Sequence, residues 1–333
     1  MNIIIPMAGM GKRMRPHTLT VPKPLLPVAG KPIVQRLVED LAKESNEKIE
    51  EIAFVVGRFG LEAEQSLISI AESLGAKGKI FYQDEPLGTG HAILCAAESL
   101  KGNVIVAFAD TLFVADIKID RNLDGVIWVN HVKNPEQFGV VKMGEDGFIS
   151  DMIEKPKDFV SDMAIIGIYY FKDGENLRTE LQYLIDNNIK EKGEYQLTNA
   201  LANMKNKGLK FAPAAVTEWL DCGNYQSTVF TNQRVLENKR NETLLSPSAK
   251  LVNSIVIEPS YIGHNVVIEN SVVGPYASVG DNCKVSHSVI SNSIIQSNTL
   301  IEYANICNSM IGNNVHYKGP TEELSLGDYS ILT

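Results

Sequence analysis

The residues best equipped for chemistry sit in one short stretch. The apolar run Asn2 to Pro6 leads into Met7-Ala8-Gly9-Met10-Gly11-Lys12-Arg13-Met14-Arg15-Pro16. A glycine turn after a strand can aim several backbone N–H groups at one point, and neighbouring cations add charge. That combination suits phosphate oxygens. No acid occurs before Glu39, whereas Lys12, Arg13, Arg15, Lys23, Lys31 and Arg36 all precede it. Two familiar phosphate loops do not fit. A dinucleotide loop needs glycine where Met14 stands. A P-loop needs glycine at Pro6 and a hydroxyl residue at Arg13. An NAD-type loop also wants an acid about 20 residues beyond the turn, and none is present there.

Those residues need elements to hold them. Up to about residue 232 the chain alternates strand-like and helix-like segments. "NIIIP" reads as a buried strand, and "PIVQRLVEDLAKE" places Ile33, Val34, Leu37, Val38 and Leu41 on one helical face. "IEEIAFVVG" reads as a strand, "LEAEQSLISIAESLG" as a helix closed by glycine, "GKIFYQDEP" as a strand, "TGHAILCAAESL" as a helix and "NVIVAFAD" as a strand ending in an acid. This order predicts an α/β, doubly wound sheet, whose ligands bind beyond the carboxyl ends of the strands. The Gly9 turn, Gln83 and Asp110 all fall at such ends, so one cleft can contain them. From Val126 to Phe171 the texture turns to strands, making the sheet mixed. A helix is expected at about 174–189, and "NYQSTVFTNQRVLENKRN" reads as a helical connector.

Beyond about residue 246 short motifs recur: "NSIV", "NSVV", "HSVI", "NSII" and "NSMI", mostly about 17 residues apart. Aliphatic residues fall roughly every sixth position, at Ile262, Ile268, Val273, Val279 and Val285. Hexads in sets of about eighteen residues make the triangular turn of a parallel β-helix. The observed spacing falls slightly short, so some corners must be trimmed. A β-sandwich is the alternative, although it calls for longer strands with period-2 alternation. The expected division is residues 1–232, a linker at 233–245 and a repeat domain at 246–333.

The 333-residue length suits two domains, and 44% hydrophobic with 21% charged residues suits a globular core. A net charge of −9 argues against generic nucleic-acid binding. Cys95, Cys222, Cys283 and Cys307 have no paired metal spacing and no disulfide pattern, so reduced cytoplasmic thiols are expected. No apolar run approaches the ~18 residues of a membrane span.

The opening stretch continues as "PHTLTVPKPLLPVAGKPIV". Here the chain resembles the sugar-1-phosphate nucleotidyltransferases, whose signature G-x-G-x-R-[LM]-x-P-x-T…P-K-P-[LM]-[LV]-P-[VI] is matched by Gly9, Gly11, Arg13, Met14, Pro16, Thr18 and Pro22 to Val28. Pro6-Met7-Ala8-Gly9 departs mildly from the usual start of that signature. The resemblance implies that Ala8, Gly9, Gly11, Lys12 and Arg13 bind a nucleoside triphosphate, and that Lys23 bridges phosphates near the reacting centre. "QDEPLGTGHAI" resembles the base-reading segment, so Gln83 would bond the base edge, Gly88 would let backbone approach it, and Thr89 would lie beside it or cap the helix. An amide offers both donor and acceptor, and glycine removes the obstructing Cβ. Asp110 in "FADTLF" and Asp221 in "WLDCGN" resemble the two metal-binding acids. Each alone would pass for a cap or a turn residue. Mg²⁺ completes its shell with waters and phosphate oxygens, so two aspartates suffice.

"FGVV", "EKP" and "AIIGIYYF" resemble the sugar-side elements. They imply that Gly139 lies against the sugar, Glu154 accepts its hydroxyls, Lys155 pairs with its phosphate and Gly167 lets the chain pass close. Glu194 in "GEYQLTNAL" would also reach the sugar. The implied reaction is Mg²⁺-dependent transfer from a triphosphate, UTP or dTTP favoured, to a sugar 1-phosphate, glucose-1-phosphate favoured. GTP with mannose-1-phosphate stands as an alternative. The repeats resemble the left-handed β-helices of hexapeptide acyltransferases, which raises a second activity with His264, His287 or His316 as base. Packing of coils against further copies, giving a homo-oligomer, is the simpler role. A non-catalytic relative would be expected to lose Arg13, Lys23, Asp110 or Asp221, and all four are present.

Overall fold

The computed structural model describes residues 1–45, 47–115, 119–120 and 122–320. The end of the expected repeat domain, 321–333, lies outside the described residues. The chain forms two compact units. One comprises Met1–Leu26 and Lys31–Asn224. The other comprises Pro27–Gly30 and the chain from Tyr225 onward.

The first unit is built on a nine-stranded mixed sheet. Its parallel part contains β1 (Asn2–Pro6), β2 (Glu51–Val56), β3 (Lys77–Tyr82) and β4 (Val104–Ala107), with β1 between β2 and β4. β5 (Thr111–Val114) leaves this sheet. β6 (Gly125–His131), β7 (Gly139–Met143), β8 (Ile149–Glu154) and β9 (Met163–Phe171) then extend it. β9 runs antiparallel to β4, β6 and β7, and β7 runs antiparallel to β8. β10 (Phe211–Ala215) pairs parallel with β6, and β11 (Glu218–Asp221) pairs antiparallel with β5 in a separate two-stranded ladder. The mixed sheet is thus present. The reading missed β8 and the β5–β11 ladder.

β1 reads as an unbroken apolar run because Ile3, Ile4 and Ile5 are all fully buried, as expected of a strand covered on both faces. α1 (Ile33–Glu44) buries Ile33, Val34, Leu37, Val38 and Leu41, the face its periodicity set out. α2 (Leu61–Ser73) crosses from β2 to β3. α3 (Thr89–Cys95) is shorter than expected. A 3₁₀ turn carries Ala97–Ser99, where Ser99 binds the Glu51 carboxylate by its hydroxyl and accepts from Asn2 Nδ2 by its carbonyl. Those cross-sheet bonds hold the end of the segment off the helical path. α4 (Gly174–Asp186) and α5 (Leu197–Asn206) follow. Leu177, Leu181 and Leu201 join Val106, Ile127, Phe171 and Phe211 in one core.

In the second unit α6 (Tyr225–Asn238) precedes the coils. Three parallel sheets stack along them, with Lys250, Val267, Lys284, Leu300 and His316 in one column. This is the hexapeptide β-helix, and parallel pairing through three faces excludes the sandwich. Ile262, Ile268, Val273, Val279 and Val285 are all buried inside it. Corner ladders between successive coils span 17 residues from Asn265 to Asn282 and 16 from Asn282 to Asn298. The trimmed corner is visible in the registers: Val272 pairs Val289 and Ser278 pairs Ile294, so one residue fewer separates the columns in the later coil.

The recurring Asn-Ser has a physical cause. Asn253, Asn270, Asn292 and Asn308 take positive φ at corners, a conformation asparagine tolerates. The serines that follow reach the next coil: Ser254, Ser271 and Ser293 hydroxyls accept from the backbone N–H of Ser271, Ser288 and Ser309. The histidines also serve packing. His264 Nδ1 lies 3.0 Å from Ser246 Oγ, His316 Nε2 lies 2.9 Å from Glu302 Oε2, and His287 stacks on Tyr303 at 4.8 Å between ring centres.

Candidate active site

Three loops that leave the carboxyl ends of β1, β3 and β4 supply most of one cleft, and the segment before α5 adds Glu194. Ala8, Gly9, Gly11, Lys12, Arg13, Lys23, Gln83, Gly88, Thr89, Asp110 and Glu194 all line a cavity of about 440 Å³. Sequence positions almost two hundred residues apart therefore meet where a parallel sheet presents its ligands.

The glycine turn is shaped by what closes over it. Gly11 has φ +58°, and a Cβ there would lie 3.0 Å from Lys23 Cβ and 3.1 Å from Thr18 Cγ2. Thr18 Oγ1 donates to the Gly11 carbonyl at 2.9 Å. Glycine thus lets the Thr18–Lys23 segment seat Lys23 over the turn. Gly9 is different: a Cβ would meet nothing within 4 Å, so the space above it belongs to the cleft.

Lys23 Nζ lies 2.8 Å from Asp110 Oδ2; the lysine side chain is 10% exposed and the carboxylate 40%. Asp221 reaches the same place through the β5–β11 ladder, where it stands opposite Thr111. Cys222 N–H donates to the Asp110 carbonyl at 2.9 Å, and Gly223 N–H donates to Asp221 Oδ1 at 3.0 Å. Gly223 lines the cleft; Asp221 stands two residues behind it. Among the described residues no group of three or more His, Cys, Asp and Glu is placed to hold a metal ion. Two carboxylates fit a hard ion that takes its other ligands from phosphate and water.

Gln83 follows β3, and its N–H donates to the Val56 carbonyl at 2.9 Å. Its side-chain Nε2 donates to the Gly88 carbonyl and to His91 Nδ1, each at 3.1 Å. Burial lowers the His91 pKa, with Glu85 pulling the other way. Gly88, at φ +111°, would set a Cβ 2.6 Å from the Tyr195 carbonyl, so glycine is required there for packing against residues 194–195. Thr89 does not cap its helix. Its hydroxyl donates to Gln196 Oε1 at 3.1 Å and accepts from Leu197 N–H at 3.0 Å, tying the loop after β3 to the start of α5.

Of the residues expected on the sugar side, Glu194 lines that cavity, whereas Gly139, Glu154, Lys155 and Gly167 lie outside its lining. Gly139 pairs with Glu154, and a Cβ on Gly139 would lie 3.0 Å from Glu154 Oε2. Lys155 has φ +48° and its Nζ is 3.4 Å from Glu154 Oε1. Burial and the neighbouring Glu154 push the Tyr169 phenol pKa up. Phe138, beside Gly139, meets Trp219 edge-on at 4.9 Å, two residues before Asp221. Gly167 sits at a bulge in β9 and accepts from Phe108 N–H at 2.9 Å, and Phe108 lines the cleft. Thr18, His91, Phe108 and Trp219 were not picked out as site residues. His91 stood in the quoted base segment, but its role depends on a contact across a loop.

A glycine–cation turn, two aspartates and a base-side amide on one α/β sheet define a class: enzymes that handle nucleotide phosphates. The chain belongs to the nucleotidyl transferase family, whose sequence profile matches residues 2–238. It is 30% identical over 278 residues to the bifunctional protein GlmU of Methanococcus maripaludis, an alignment covering 83% of this chain and 62% of that one. The chain therefore spans less than two thirds of that relative. It is 28% identical to the glucose-1-phosphate thymidylyltransferase of Streptomyces antibioticus, across 99% of this chain and 98% of that one. A crystal structure of a putative glucose-1-phosphate thymidylyltransferase from Bacillus anthracis, in complex with a sucrose, shares the fold. Its TM-score is 0.59 at 24% identity, over 69% of this chain and 93% of that one.

Proposed function

We propose that the chain moves a nucleotidyl group from UTP or dTTP to glucose-1-phosphate, that Mg²⁺ is the metal, and that residues 1–232 carry the reaction. The single observation behind the site is the meeting of the Gly9–Arg13 turn, Lys23, Gln83 and Asp110 in one cleft. The printed name of the full-length Streptomyces relative supports the substrate pair.

A phosphate oxygen of the sugar phosphate attacks the α-phosphorus in line, forming one P–O bond. The bond to the β-phosphate oxygen breaks, and pyrophosphate leaves with that electron pair. The nucleophile is already an anion, so charge neutralisation and alignment carry the rate rather than a strong base. Arg13 and Lys12 neutralise the triphosphate, and the guanidinium fork of Arg13 suits two oxygens at once. Lys23 moves from Asp110 to the phosphates. Lys155 holds the sugar phosphate, while Glu154, Glu194 and the backbone at Gly139 and Gly167 face the sugar. Asp110 and Asp221 would hold Mg²⁺, which when bound polarises and aligns the α-phosphate.

The β-helix serves assembly of a homo-oligomer. Its three histidines are engaged with neighbours in the coils, and Ile255 and Val289 face outward in one column at 61% and 47% exposure. Among the described residues no helix is long and apolar enough to cross a membrane. The free cysteines fit a reducing cytoplasm. Pyrophosphate release over a matrix of four triphosphates and several sugar phosphates tests the pair. A maximum at UTP or dTTP with glucose-1-phosphate is expected; a maximum at GTP with mannose-1-phosphate replaces the pair, and a flat matrix removes it.

A further inference from the structure

Gln83 is held by more than its own backbone. The Gly88 carbonyl can only accept, so the side-chain atom facing it at 3.1 Å must be the amide nitrogen. The same nitrogen lies 3.1 Å from His91 Nδ1. An amide nitrogen has two hydrogens and no lone pair to offer. Both hydrogens are therefore committed, and His91 must present Nδ1 as a bare acceptor with its proton on Nε2. Gln83 Oε1 takes no hydrogen bond from any described residue, and Gln83 lines the cleft.

We infer that His91 is a positioning residue for nucleobase selection: it locks the Gln83 amide so that only its oxygen faces the base. An isolated glutamine can turn its amide over and serve a donor or an acceptor equally. Here a flipped amide would set its oxygen against the Gly88 carbonyl, and would meet a donor at His91 only after the ring proton had moved from Nε2 to Nδ1. The lock selects bases that carry N–H at the centre of the pairing edge, which are uracil, thymine and guanine. Cytosine and adenine present a bare ring nitrogen there, and two lone pairs would face each other. His91 makes this choice without touching the base. Cys95 Sγ, 4.0 Å from Nδ1 one helical turn on, is too distant to compete with the amide.

The inference rests on the assignment of Gln83 as the base-side residue, and the test separates the two. Steady-state kcat and KM for the triphosphate are measured for the full chain with UTP against CTP and GTP against ATP. Each pair differs in the hydrogen on the central ring nitrogen. The wild type should favour the first member of the pair it uses. His91→Ala should lower that preference about tenfold, the worth of one neutral hydrogen bond. The loss should appear in KM for the preferred triphosphate, with kcat within a few-fold. His91→Asn, whose amide oxygen can stand where Nδ1 stood, should restore the ratio. If His91→Ala does not fold, His91→Phe fills the space without an acceptor and should give the same loss. An unchanged ratio in the variants, or a wild type that does not discriminate within either pair, overturns the inference and leaves nucleotidyl transfer intact. A wild type that discriminates while Gln83→Ala does not alter the ratio removes the base-side assignment beneath it.

Discussion

Lys23 and Asp110 form an ion pair at 2.8 Å inside the cleft, with the lysine nearly buried and the aspartate open on one side. The same carboxylate is the proposed ligand of the metal. On the proposed reading, a metal ion bound at this carboxylate would compete with Lys23 for its negative charge and so free the lysine for the phosphates.

Removing the lysine separates these roles. Lys23→Met should lower turnover by a factor of about 10² to 10³, the usual cost of losing one charge-stabilising group. It should at the same time tighten Mn²⁺ binding in the absence of nucleotide, because the competing cation is gone. Titration calorimetry of the full chain reads the second effect. Weaker metal binding in Lys23→Met counts against a shared carboxylate.

The aspartates should behave as a pair. Asp110→Asn and Asp221→Asn each remove a charge from the proposed metal site while keeping side-chain volume. Turnover should fall by roughly 10³ in each, in keeping with the cost of losing preorganised electrostatic stabilisation. The melting temperature should stay close to the wild type, since neither residue is in the buried core. Normal Mg²⁺-dependent rates in either variant remove that residue from the site.

Two glycines on the cleft should respond oppositely to the same change. Gly88→Ala places a Cβ 2.6 Å from the Tyr195 carbonyl at a φ of +111°, so it strains the fold itself. Its melting temperature should drop by several degrees, corresponding to about 2 kcal/mol. Gly9→Ala meets nothing within 4 Å and should melt like the wild type. Its KM for triphosphate should nonetheless rise about tenfold or more, because the added methyl occupies the space proposed for phosphate. Unchanged kinetics in Gly9→Ala would move the triphosphate elsewhere.

How much of this was legible in the chain depended on the range of the interaction. β1, α1 and the position of Asp110 followed from local pattern, because a buried strand and an amphipathic helix write their faces into consecutive residues. The coils were legible for the same reason, down to the aliphatic positions. Asp221 is a candidate only by resemblance, since nothing in "WLDCGN" shows that it pairs back across Thr111. Thr89 had the composition of a helix cap, and Leu197 and Gln196 claimed its hydroxyl instead. His91 carried no sign of its role, because a histidine one turn into a short helix is legible as a clamp only when the facing amide is known.

In the second unit the decisive residue is also polar and was not singled out. Asn232 is fully buried; its Oδ1 accepts from Ala29 N–H at 2.8 Å and from Ser278 Oγ at 2.7 Å, while Nδ2 donates to the Tyr276 carbonyl at 3.3 Å. It joins α6, the short 27–30 segment and the first coils. Asn232→Ala withdraws the acceptor from two buried donors and should destabilise this unit by about 3 kcal/mol. Scanning calorimetry should show its transition several degrees lower. An unshifted thermogram would mean that water replaces the amide without cost.

The clamp on Gln83 gives the last prediction, a pH dependence with a defined sign. Burial lowers the His91 pKa below its ordinary 6.5, so the bare Nδ1 survives to more acidic pH than in a free histidine. Protonation would place an N–H against the Gln83 N–H and undo the lock. The groups around the ring are the Gln83 amide, the Cys95 thiol and the Glu85 carboxylate. Burial raises the thiol pKa, so it stays neutral across this range, and the Glu85 charge only partly opposes the effect of burial. The neutral ring is thus the folded form above 6.5, and what it contributes is lost as pH falls through the lowered value. The UTP-to-CTP ratio of kcat/KM, or the GTP-to-ATP ratio if that pair is used, should be flat from pH 8 to about 6.5 and decline only below it. In His91→Asn the ratio should hold flat to the acid limit of the assay, since an amide does not titrate. A decline with the same midpoint in both proteins would assign the titration to some other group.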